Sequence, residues 1–192
     1  LTSPIIILAS IMILIQDGFP IIYRQKRTGW DGRSFVIYKL RSLIKSSGVN
    51  EDTQVKSGDK RVTTLGSILR RFSIDELPQF INVLKGDMSV VGPRPHMEAH
   101  TREYESSVDK YLVRHFAKPG ITGLAQVAGR NSLSWEERFE MDVKYVKQNS
   151  FIGDLIIILK TIFTVIKGKD VEASDQEIMP EFMGSKKEAR KL

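Results

Sequence analysis

The chain has 192 residues, of which 41% are hydrophobic and 27% charged, and its 29 lysines and arginines exceed its 23 acidic residues to give a net charge of +6. This length and composition allow one large domain or two small ones, and exclude a disordered acidic chain, a fibrous protein and a multi-span membrane protein. With no cysteine and only three histidines, the sequence also excludes disulfides, thiolate metal sites and cysteine nucleophiles, and disfavours a histidine-rich zinc site.

The first predicted element is an apolar helix that is too short to cross a bilayer. Residues from Ile5 to Ile15 are apolar except Ser10. A helix over Pro4–Ile15 is about 18 Å long, against about 30 Å of hydrocarbon. A buried core helix and a membrane-embedded segment both fit this pattern. Because proline lacks an N–H, Ser3-Pro4 favours a break in any helix that enters from upstream, and a break at mid-bilayer turns the chain back.

A basic block follows the apolar segment. Between Tyr23 and Lys45 the sequence carries seven cations against the single acid Asp31. Such a block is typical of a cytoplasmic surface that faces anionic lipid, and an anion-binding pocket is the other use that we consider. The seven cations are Arg24, Lys26, Arg27, Arg33, Lys39, Arg41 and Lys45.

The rest of the sequence predicts an α+β fold that is mostly helical with short strands. Alternating residues in Ile21–Gln25 and Ser34–Lys39 flank the turn sequence Thr28–Gly32 and predict a β-hairpin. Residues 46–60 are polar and predict a loop, and Leu124–Ala128 predicts a short strand. Apolar residues at helical spacing predict helices over Leu65–Phe72, Leu77–Leu84, Met97–Phe116, a segment containing Trp135, Phe139, Asp142, Val143 and Val146, and Phe151–Ile166.

The sequence Ser73-Ile74-Asp75-Glu76-Leu77-Pro78 places two adjacent carboxylates at the predicted start of a helix. In a structural interpretation, Ser73 and Glu76 form a capping box, and the helix dipole stabilises the acids. Pro78 fits the first helical turn if Asp75 is the cap, because no N–H is needed there, but not if Ser73 is the cap. In a functional interpretation, one carboxylate is a nucleophile or metal ligand and the other orients it.

Several further cations lie in stiff turns. In Gly92-Pro93-Arg94-Pro95 the prolines restrict the backbone, so Arg94 loses little entropy when its guanidinium meets a phosphate. A rigid corner with a solvated arginine is the structural alternative. Lys118–Gly123 and Gly129-Arg130-Asn131 are similar turns. Together with Lys39, Arg41 and Arg70, these turns predict a site that binds a polyanion.

Other classes of phosphate or ester chemistry lack their motifs in this sequence. The aromatic residues do not alternate with the cations as in a nucleic-acid stacking surface, and no helix-turn-helix or zinc module is present. P-loop and Rossmann glycine patterns are absent, as is the G-x-S-x-G motif of a serine hydrolase. Phosphate chemistry at a membrane surface is what remains.

These motifs resemble one known family, the bacterial sugar transferases or monotopic phosphoglycosyl transferases, from about Ser3 to Gly168. So many ordered motifs are not expected by chance. The matching residues are Ser3-Pro4, Asp17-Gly18, Gln25, Arg27, Gly29, Tyr38-Lys39-Leu40-Arg41-Ser42, Ser73-Ile74-Asp75-Glu76-Leu77-Pro78-Gln79, Asn82-Val83-Leu84-Lys85-Gly86-Asp87-Met88-Ser89, Gly92-Pro93-Arg94-Pro95, Lys118-Pro119-Gly120-Ile121-Thr122-Gly123, Gln126-Val127 and Gly129-Arg130-Asn131.

The resemblance implies a two-step transfer of a sugar phosphate. Asp75 would attack the sugar-bearing phosphate of a UDP-sugar and expel UMP, and polyprenyl (undecaprenyl) phosphate would then take the phosphosugar from the aspartyl intermediate. The resemblance also implies Mg²⁺ as cofactor, held near Asp75 to neutralise the diphosphate. Glu76 would orient this site or assist charge movement. By matching position, the phosphate- and substrate-binding residues would be Lys39, Arg41, Arg70, Arg94, Pro95, Arg130 and Asn131, the last two for the nucleotide or sugar end.

The resemblance also implies a monotopic membrane protein that enters one leaflet through a re-entrant helix broken at Ser-Pro, in agreement with the short apolar segment. Residues 1–20 would be the second half of this hairpin, with the first half upstream of Leu1. Residues 21–167 would form the catalytic domain and residues 168–192 a charged tail.

The expected location is the cytoplasmic face of the bacterial inner membrane. The expected partners are a UDP-sugar, polyprenyl phosphate and the cytoplasmic leaflet, with no nucleic acid, and a homodimer is left open. The product would initiate a lipid-linked glycan for exopolysaccharide, capsule, O-antigen or glycoprotein. The alternative from another class is a non-catalytic peripheral protein that binds anionic lipid through the basic block.

Overall fold

The computed structural model describes residues 3–44, 59–108, 110–129 and 133–167, and it confirms a mostly helical α+β fold with short strands. Most of the predicted loop at residues 46–60 and the predicted tail at residues 168–192 lie outside the described residues. The helices are α1 (Ser3–Asp17), α2 (Thr64–Arg71), α3 (Phe80–Lys85), α4 (Glu98–Ser107), α5 (Leu124–Ala128), α6 (Trp135–Gln148) and α7 (Phe151–Lys167), the 3₁₀ helices are Trp30–Gly32, Ile74–Gln79 and Tyr111–Phe116, and the strands are β1 (Ile22–Thr28), β2 (Ser34–Leu40), β3 (Ser89–Val91) and β4 (Gly120–Thr122).

The predicted β-hairpin is confirmed. β1 and β2 pair antiparallel in a register that runs from Ile22 opposite Leu40 to Thr28 opposite Ser34. Asn82 in α3 is fully buried and fixes the hairpin from one side. Its side-chain amide donates to the Val36 carbonyl at 2.7 Å, and its Oδ1 accepts from the Tyr38 N–H at 3.2 Å. The strand that carries Lys39 is thereby held against α3.

Helix α1 packs on the rest of the fold along one face. Ala9 and Ile13 are buried against Leu40, Leu65 and Leu69, at the base of the hairpin and on α2. Most other side chains of α1 are exposed although they are apolar. Within the described parts of the chain, no helix has both the length and the apolar character needed to cross a membrane.

The short parallel pair of β3 and β4 depends on glycine. A Cβ at Gly92 would lie 2.2 Å from the Lys118 carbonyl oxygen, and one at Gly120 would lie 2.1 Å from the Gly92 nitrogen. Neither contact is possible for a real side chain, so only glycine allows the two backbone segments to approach this closely. The segment Gly92–Pro95, here called the arginine loop, follows β3 and is held by this crossing.

The predicted helix over Met97–Phe116 is broken in the structure. Val108 is extended with a φ of −122°, and Lys110 has a left-handed φ of 66°, so the chain turns between α4 and the 3₁₀ helix that follows. The turn places Tyr111, which is 1% exposed, in an aromatic cluster with Tyr104 and Phe139. Tertiary packing of the ring therefore outweighs the continuous helical spacing of the sequence.

The predicted strand over Leu124–Ala128 is wrong, because these residues form α5 and the strand lies just before them as β4. A run of five residues does not distinguish a strand from a short helix by its pattern alone. Leucine, alanine and glutamine also favour the helix. The helices predicted over Leu65–Phe72, around Trp135 and over Phe151–Ile166 are confirmed as α2, α6 and α7.

Candidate active site

The two adjacent carboxylates lie on the six-residue 3₁₀ helix Ile74–Gln79, here called the dyad helix. Ser73 is the residue before it and has a left-handed φ of 52°, and its side chain makes no capping hydrogen bond. The predicted capping box is therefore wrong, and so is Asp75 as the cap. Pro78 lies inside the dyad helix at its fifth position. The helix predicted over Leu77–Leu84 starts later in the structure, because the α-helix begins at Phe80, the first residue of α3.

Asp75 is buried and chemically available. Its side chain is 6% exposed, and no hydrogen bond to its carboxylate comes from the residues that the structure describes. Burial, and then the negative charge of Glu76, raise the pKa of Asp75 to about 6, while Lys39, Arg70 and Arg94 oppose this rise. The carboxyl group therefore titrates near pH 6, and its oxygens are not engaged by a hydrogen bond from the described residues.

Glu76 has the opposite environment. Its Oε1 accepts from Lys39 Nζ at 2.7 Å and from Arg94 Nη2 at 2.8 Å, and we call these three residues the charge cluster. Burial alone would raise the pKa of Glu76, but Arg94 and Lys39 hold it well below the usual range. Burial lowers the pKa of Lys39, and Glu76 opposes that change. Of the two neighbouring carboxylates, Glu76 is therefore paired with two cations, whereas Asp75 accepts no hydrogen bond from the described residues.

The other predicted binding residues divide by their location. Arg70 contributes positive charge at Asp75, and its Nη1 lies 3.5 Å from the Ser42 hydroxyl. Arg41 instead donates from Nη2 to the Gly18 carbonyl at 2.8 Å, where α1 joins the hairpin, so its role toward phosphate stays a prediction. Pro95 is buried, and its carbonyl faces Arg27. Arg130 and Asn131 lie outside the described residues.

The arginine loop is held through its backbone carbonyls. Gly120 N–H donates to the Pro93 carbonyl at 3.0 Å, Arg114 Nη2 to the Arg94 carbonyl at 2.5 Å, and Arg27 Nη1 to the Pro95 carbonyl at 3.2 Å. Three different elements therefore fix three consecutive residues. With its backbone fixed, the Arg94 side chain, about half exposed, extends to Glu76.

Two residues behind this loop were not predicted as site residues. Arg114 and Asp142 form an ion pair at 2.8 Å, with side chains 3% and 5% exposed. Asp142 does lie among the residues at helical spacing that predicted α6. A charged residue at such a core position could have indicated a buried ion pair. Its partner lies 28 positions away in the sequence, so the pairing itself required the fold.

The donors present fit a Mg²⁺ ion that is shared with a substrate. Among the described residues no group of three or more histidine or acidic side chains could hold a metal ion alone. Magnesium in phosphate-transfer sites is commonly held by one or two carboxylates and by substrate phosphates. Because Glu76 is occupied by Lys39 and Arg94, Asp75 is the carboxylate of the pair whose oxygens fit this use.

Comparison with known proteins places this site in a family. The family model for bacterial sugar transferases matches residues 1–168. The UDP-glucose:undecaprenyl-phosphate glucose-1-phosphate transferase of Escherichia coli K12 is 41% identical over 85% of this chain, which spans 36% of that protein. The uncharacterized sugar transferase EpsL of Bacillus subtilis is 39% identical over 96% of this chain and 89% of its own length. The exopolysaccharide production protein ExoY of Rhizobium meliloti is 37% identical over 84% of this chain and 77% of its own length.

The match covers the hairpin, the dyad helix and the arginine loop together, in sequence order and within one family model. This chain is therefore an enzyme that belongs to the bacterial sugar transferase family.

Proposed function

We propose that this enzyme transfers a sugar 1-phosphate from a UDP-sugar to polyprenyl phosphate and releases UMP. The observation that carries the proposal is the contrast within the dyad, where Asp75 is buried without a hydrogen bond from the described residues and Glu76 is held by two cations. The names of the relatives support the substrate classes, since the Escherichia coli protein is named for UDP-glucose and undecaprenyl phosphate. Other relatives are named for N-acetylgalactosamine or galactose, so the sugar is left to experiment.

In the first step the Asp75 carboxylate attacks the sugar-bearing phosphorus of the UDP-sugar. A new oxygen–phosphorus bond forms, and the bond from that phosphorus to the bridging oxygen breaks. The bridging oxygen leaves on UMP with the electron pair. A buried carboxylate with a raised pKa suits this role, because it is a stronger nucleophile than a solvated one and is still ionised at neutral pH.

In the second step a phosphate oxygen of polyprenyl phosphate attacks the same phosphorus. The bond to Asp75 breaks, and the products are polyprenyl diphosphosugar and the free Asp75 carboxylate. Such a product would initiate a lipid-linked glycan for exopolysaccharide, capsule, O-antigen or glycoprotein. The name of ExoY, an exopolysaccharide production protein, supports the first of these.

The charge cluster would supply the cations for both steps. Lys39 and Arg94 meet at one oxygen of Glu76, and the half-exposed Arg94 can reach an incoming diphosphate from that position. Phosphoryl transfer depends mainly on positioning and on stabilising charge, and a planar guanidinium binds two phosphate oxygens at once. Asp75 would hold Mg²⁺, which supplies further charge neutralisation of the diphosphate when bound.

The test is release of UMP by the purified full chain from a panel of UDP-sugars, with and without polyprenyl phosphate. We expect UMP release in the presence of Mg²⁺ and, without acceptor, a protein-bound phosphosugar detected by intact mass. The matched control is Asp75→Asn, which should give neither signal. An unmodified wild-type protein that turns over normally would contradict the covalent route, and absence of UMP release with every sugar would contradict the function.

We further propose that the enzyme is monotopic and lies on the cytoplasmic face of the bacterial inner membrane. The exposed side chains of α1 and α7 support this, since Ile15 is 81% exposed and Phe151 is 79% exposed. Of the 17 residues of α7, Ile157 is the one that is fully buried. Apolar surface on this scale favours contact with lipid, with α1 entering one leaflet and Ser3-Pro4 at the turn.

Cysteine labelling tests this placement, because the chain has no native cysteine. With anionic vesicles, Ile7→Cys and Phe163→Cys should be protected from a membrane-impermeant maleimide, and the exposed hairpin control Arg33→Cys should label fully. In intact cells, Arg33→Cys should label only after permeabilisation. Labelling of Thr2→Cys from outside intact cells would show a spanning helix and contradict the re-entrant arrangement.

A further inference from the structure

The arginine loop has few backbone donors of its own. Two of its four residues are prolines, which have no N–H, so the loop contributes few hydrogen bonds toward its own conformation. Its shape therefore depends on donors that reach its carbonyls from elsewhere. Of these donors, Arg114 makes the shortest contact, at 2.5 Å to the carbonyl of Arg94 itself.

Arg114 is unusually well fixed for a side chain that contacts a loop. Its Nε and Nη2 donate to Asp142 Oδ2 at 3.1 and 2.8 Å, and its Nη1 donates to the Tyr111 hydroxyl at 3.2 Å. The Tyr111 hydroxyl in turn lies 2.8 Å from Nδ1 of His96. All three guanidinium nitrogens are thus engaged, which removes the rotational freedom of the group.

Stability alone does not explain this buried pair. Removing two charges from water costs several kcal/mol per ion, and replacing a buried ion pair by apolar residues is often neutral or stabilising. What apolar residues cannot do is donate to the Arg94 carbonyl. Of the contacts of Arg114, the one to the Arg94 carbonyl lies outside the core, and Arg94 is a predicted phosphate-binding residue.

We propose that Arg114, held by Asp142, is a positioning residue that fixes the backbone of Arg94, so that the Arg94 guanidinium reaches the diphosphate of the substrate. The role of Arg94 in binding the diphosphate rests on the proposed function. The contact by which Arg114 holds the Arg94 carbonyl rests on the hydrogen bonds alone. Arg114 is 3% exposed at its side chain and acts through Arg94 instead of touching the substrate.

The test removes the contact from Arg114 to the Arg94 carbonyl without leaving either partner of the ion pair as an unpaired charge. The double variant Arg114→Met with Asp142→Leu replaces both ions by apolar residues of similar size, and we expect it to fold. Its kcat/KM for UMP release should fall by about 100-fold, as expected for a misplaced binding group. Amide exchange at Gly120, whose N–H donates to the Pro93 carbonyl, should become faster because the loop is released.

A double-mutant cycle with Arg94→Ala separates positioning from structural support. Arg94→Ala keeps the carbonyl that Arg114 contacts and removes the side chain beyond Cβ, including the guanidinium. If Arg114 acts through that guanidinium, the Met/Leu pair should change kcat/KM by less than about threefold in the Arg94→Ala background. Equal losses in the two backgrounds would overturn the proposal, because the pair would then be supporting the fold in general.

Tyr111→Phe is the matched control within the same network. It removes one hydroxyl partner of Arg114 and leaves the contacts to Asp142 and to the Arg94 carbonyl in place. We expect a melting temperature lower by about 2–4 °C with kcat/KM unchanged. If the wild type releases no UMP, the proposed function fails. Amide exchange at Gly120 still shows whether Arg114 holds the arginine loop in place. Unchanged exchange there in the Met/Leu variant would overturn the proposal whatever the activity.

Discussion

Two ion pairs in this enzyme have the same length and different environments. Arg94 meets Glu76 at 2.8 Å with its side chain 48% exposed, whereas Arg114 meets Asp142 at 2.8 Å with its side chain 3% exposed. An exposed arginine can exchange a carboxylate for an incoming phosphate, because water assists the exchange. A dry arginine cannot do so without leaving a bare charge. We therefore propose that solvent access, and not distance, separates a pair suited to binding a ligand from one that holds the shape of the fold.

The largest effect is expected at Asp75, the proposed nucleophile. Asp75→Asn keeps the size of the side chain and removes the anionic nucleophile, so UMP release should fall by on the order of 10⁴-fold or more. Circular dichroism should show an unchanged fold, since the carboxylate has no hydrogen bond from the described residues. Substantial turnover by the folded variant would remove Asp75 from the chemistry.

Arg94→Lys tests the exposed pair directly. Lysine keeps the positive charge and loses the planar group that binds two phosphate oxygens, so we expect kcat/KM to fall by about 10²-fold. The conservative change on the buried side, Tyr111→Phe, should leave kcat/KM unchanged. Wild-type kinetics in Arg94→Lys would show that the arginine loop is a rigid turn whose arginine does not bind the substrate.

The raised pKa of Asp75 predicts opposite pH dependences for activity and stability. Below the pKa of about 6, kcat/KM should fall about tenfold per pH unit as the nucleophile is protonated. The folded protein holds this proton more tightly than the unfolded chain does, since the unfolded pKa is near 3.8. The contribution of Asp75 to the free energy of unfolding should therefore decrease as pH rises from about 4 to 6, by about 3 kcal/mol, while the buried His96 and His115 contribute with the opposite sign over the same range.

Denaturant unfolding of Asp75→Asn checks the sign of this effect. The variant lacks the titrating group, so it should be more stable than the wild type at pH 7.5, and the difference should vanish below about pH 4. A wild type that gains stability relative to the variant across this range would show that the carboxylate is stabilised by its cations instead of destabilised by burial.

The smallest effect compares the two serines that precede the two regions. Ser134 precedes α6, the helix of Asp142, and forms a complete capping box with Glu137, whereas Ser73 precedes the dyad helix without a capping hydrogen bond. Ser134→Ala should therefore lower the free energy of unfolding by about 1 kcal/mol, and Ser73→Ala by much less. Equal losses in denaturant melts would contradict this difference.

Local chemistry made the hairpin, the rigidity of the arginine loop and the position of the two acids at a helix start predictable from the sequence. Adjacent acids, alternating residues and flanking prolines each act within a few residues of themselves. The conformation of Ser73 was not predictable in this way, because its left-handed φ depends on how α2 turns into the dyad helix. For the same reason, the sequence predicted one helix over Met97–Phe116 where the packing of Tyr111 produces two. The contributions of Arg130 and Asn131 stay predictions.

The borrowed donors of the arginine loop have a consequence for the order of folding. Arg27 and Arg114 lie 68 and 20 positions from the carbonyls that they hold. Because closing such long segments costs conformational entropy before the contacts form, we expect these contacts to form late in folding. The backbone hydrogen bonds of the dyad helix, by contrast, join residues close in sequence, such as Glu76 N–H to the Ser73 carbonyl. We therefore expect the arginine loop to reach its final shape late in folding, once the hairpin and α6 have docked.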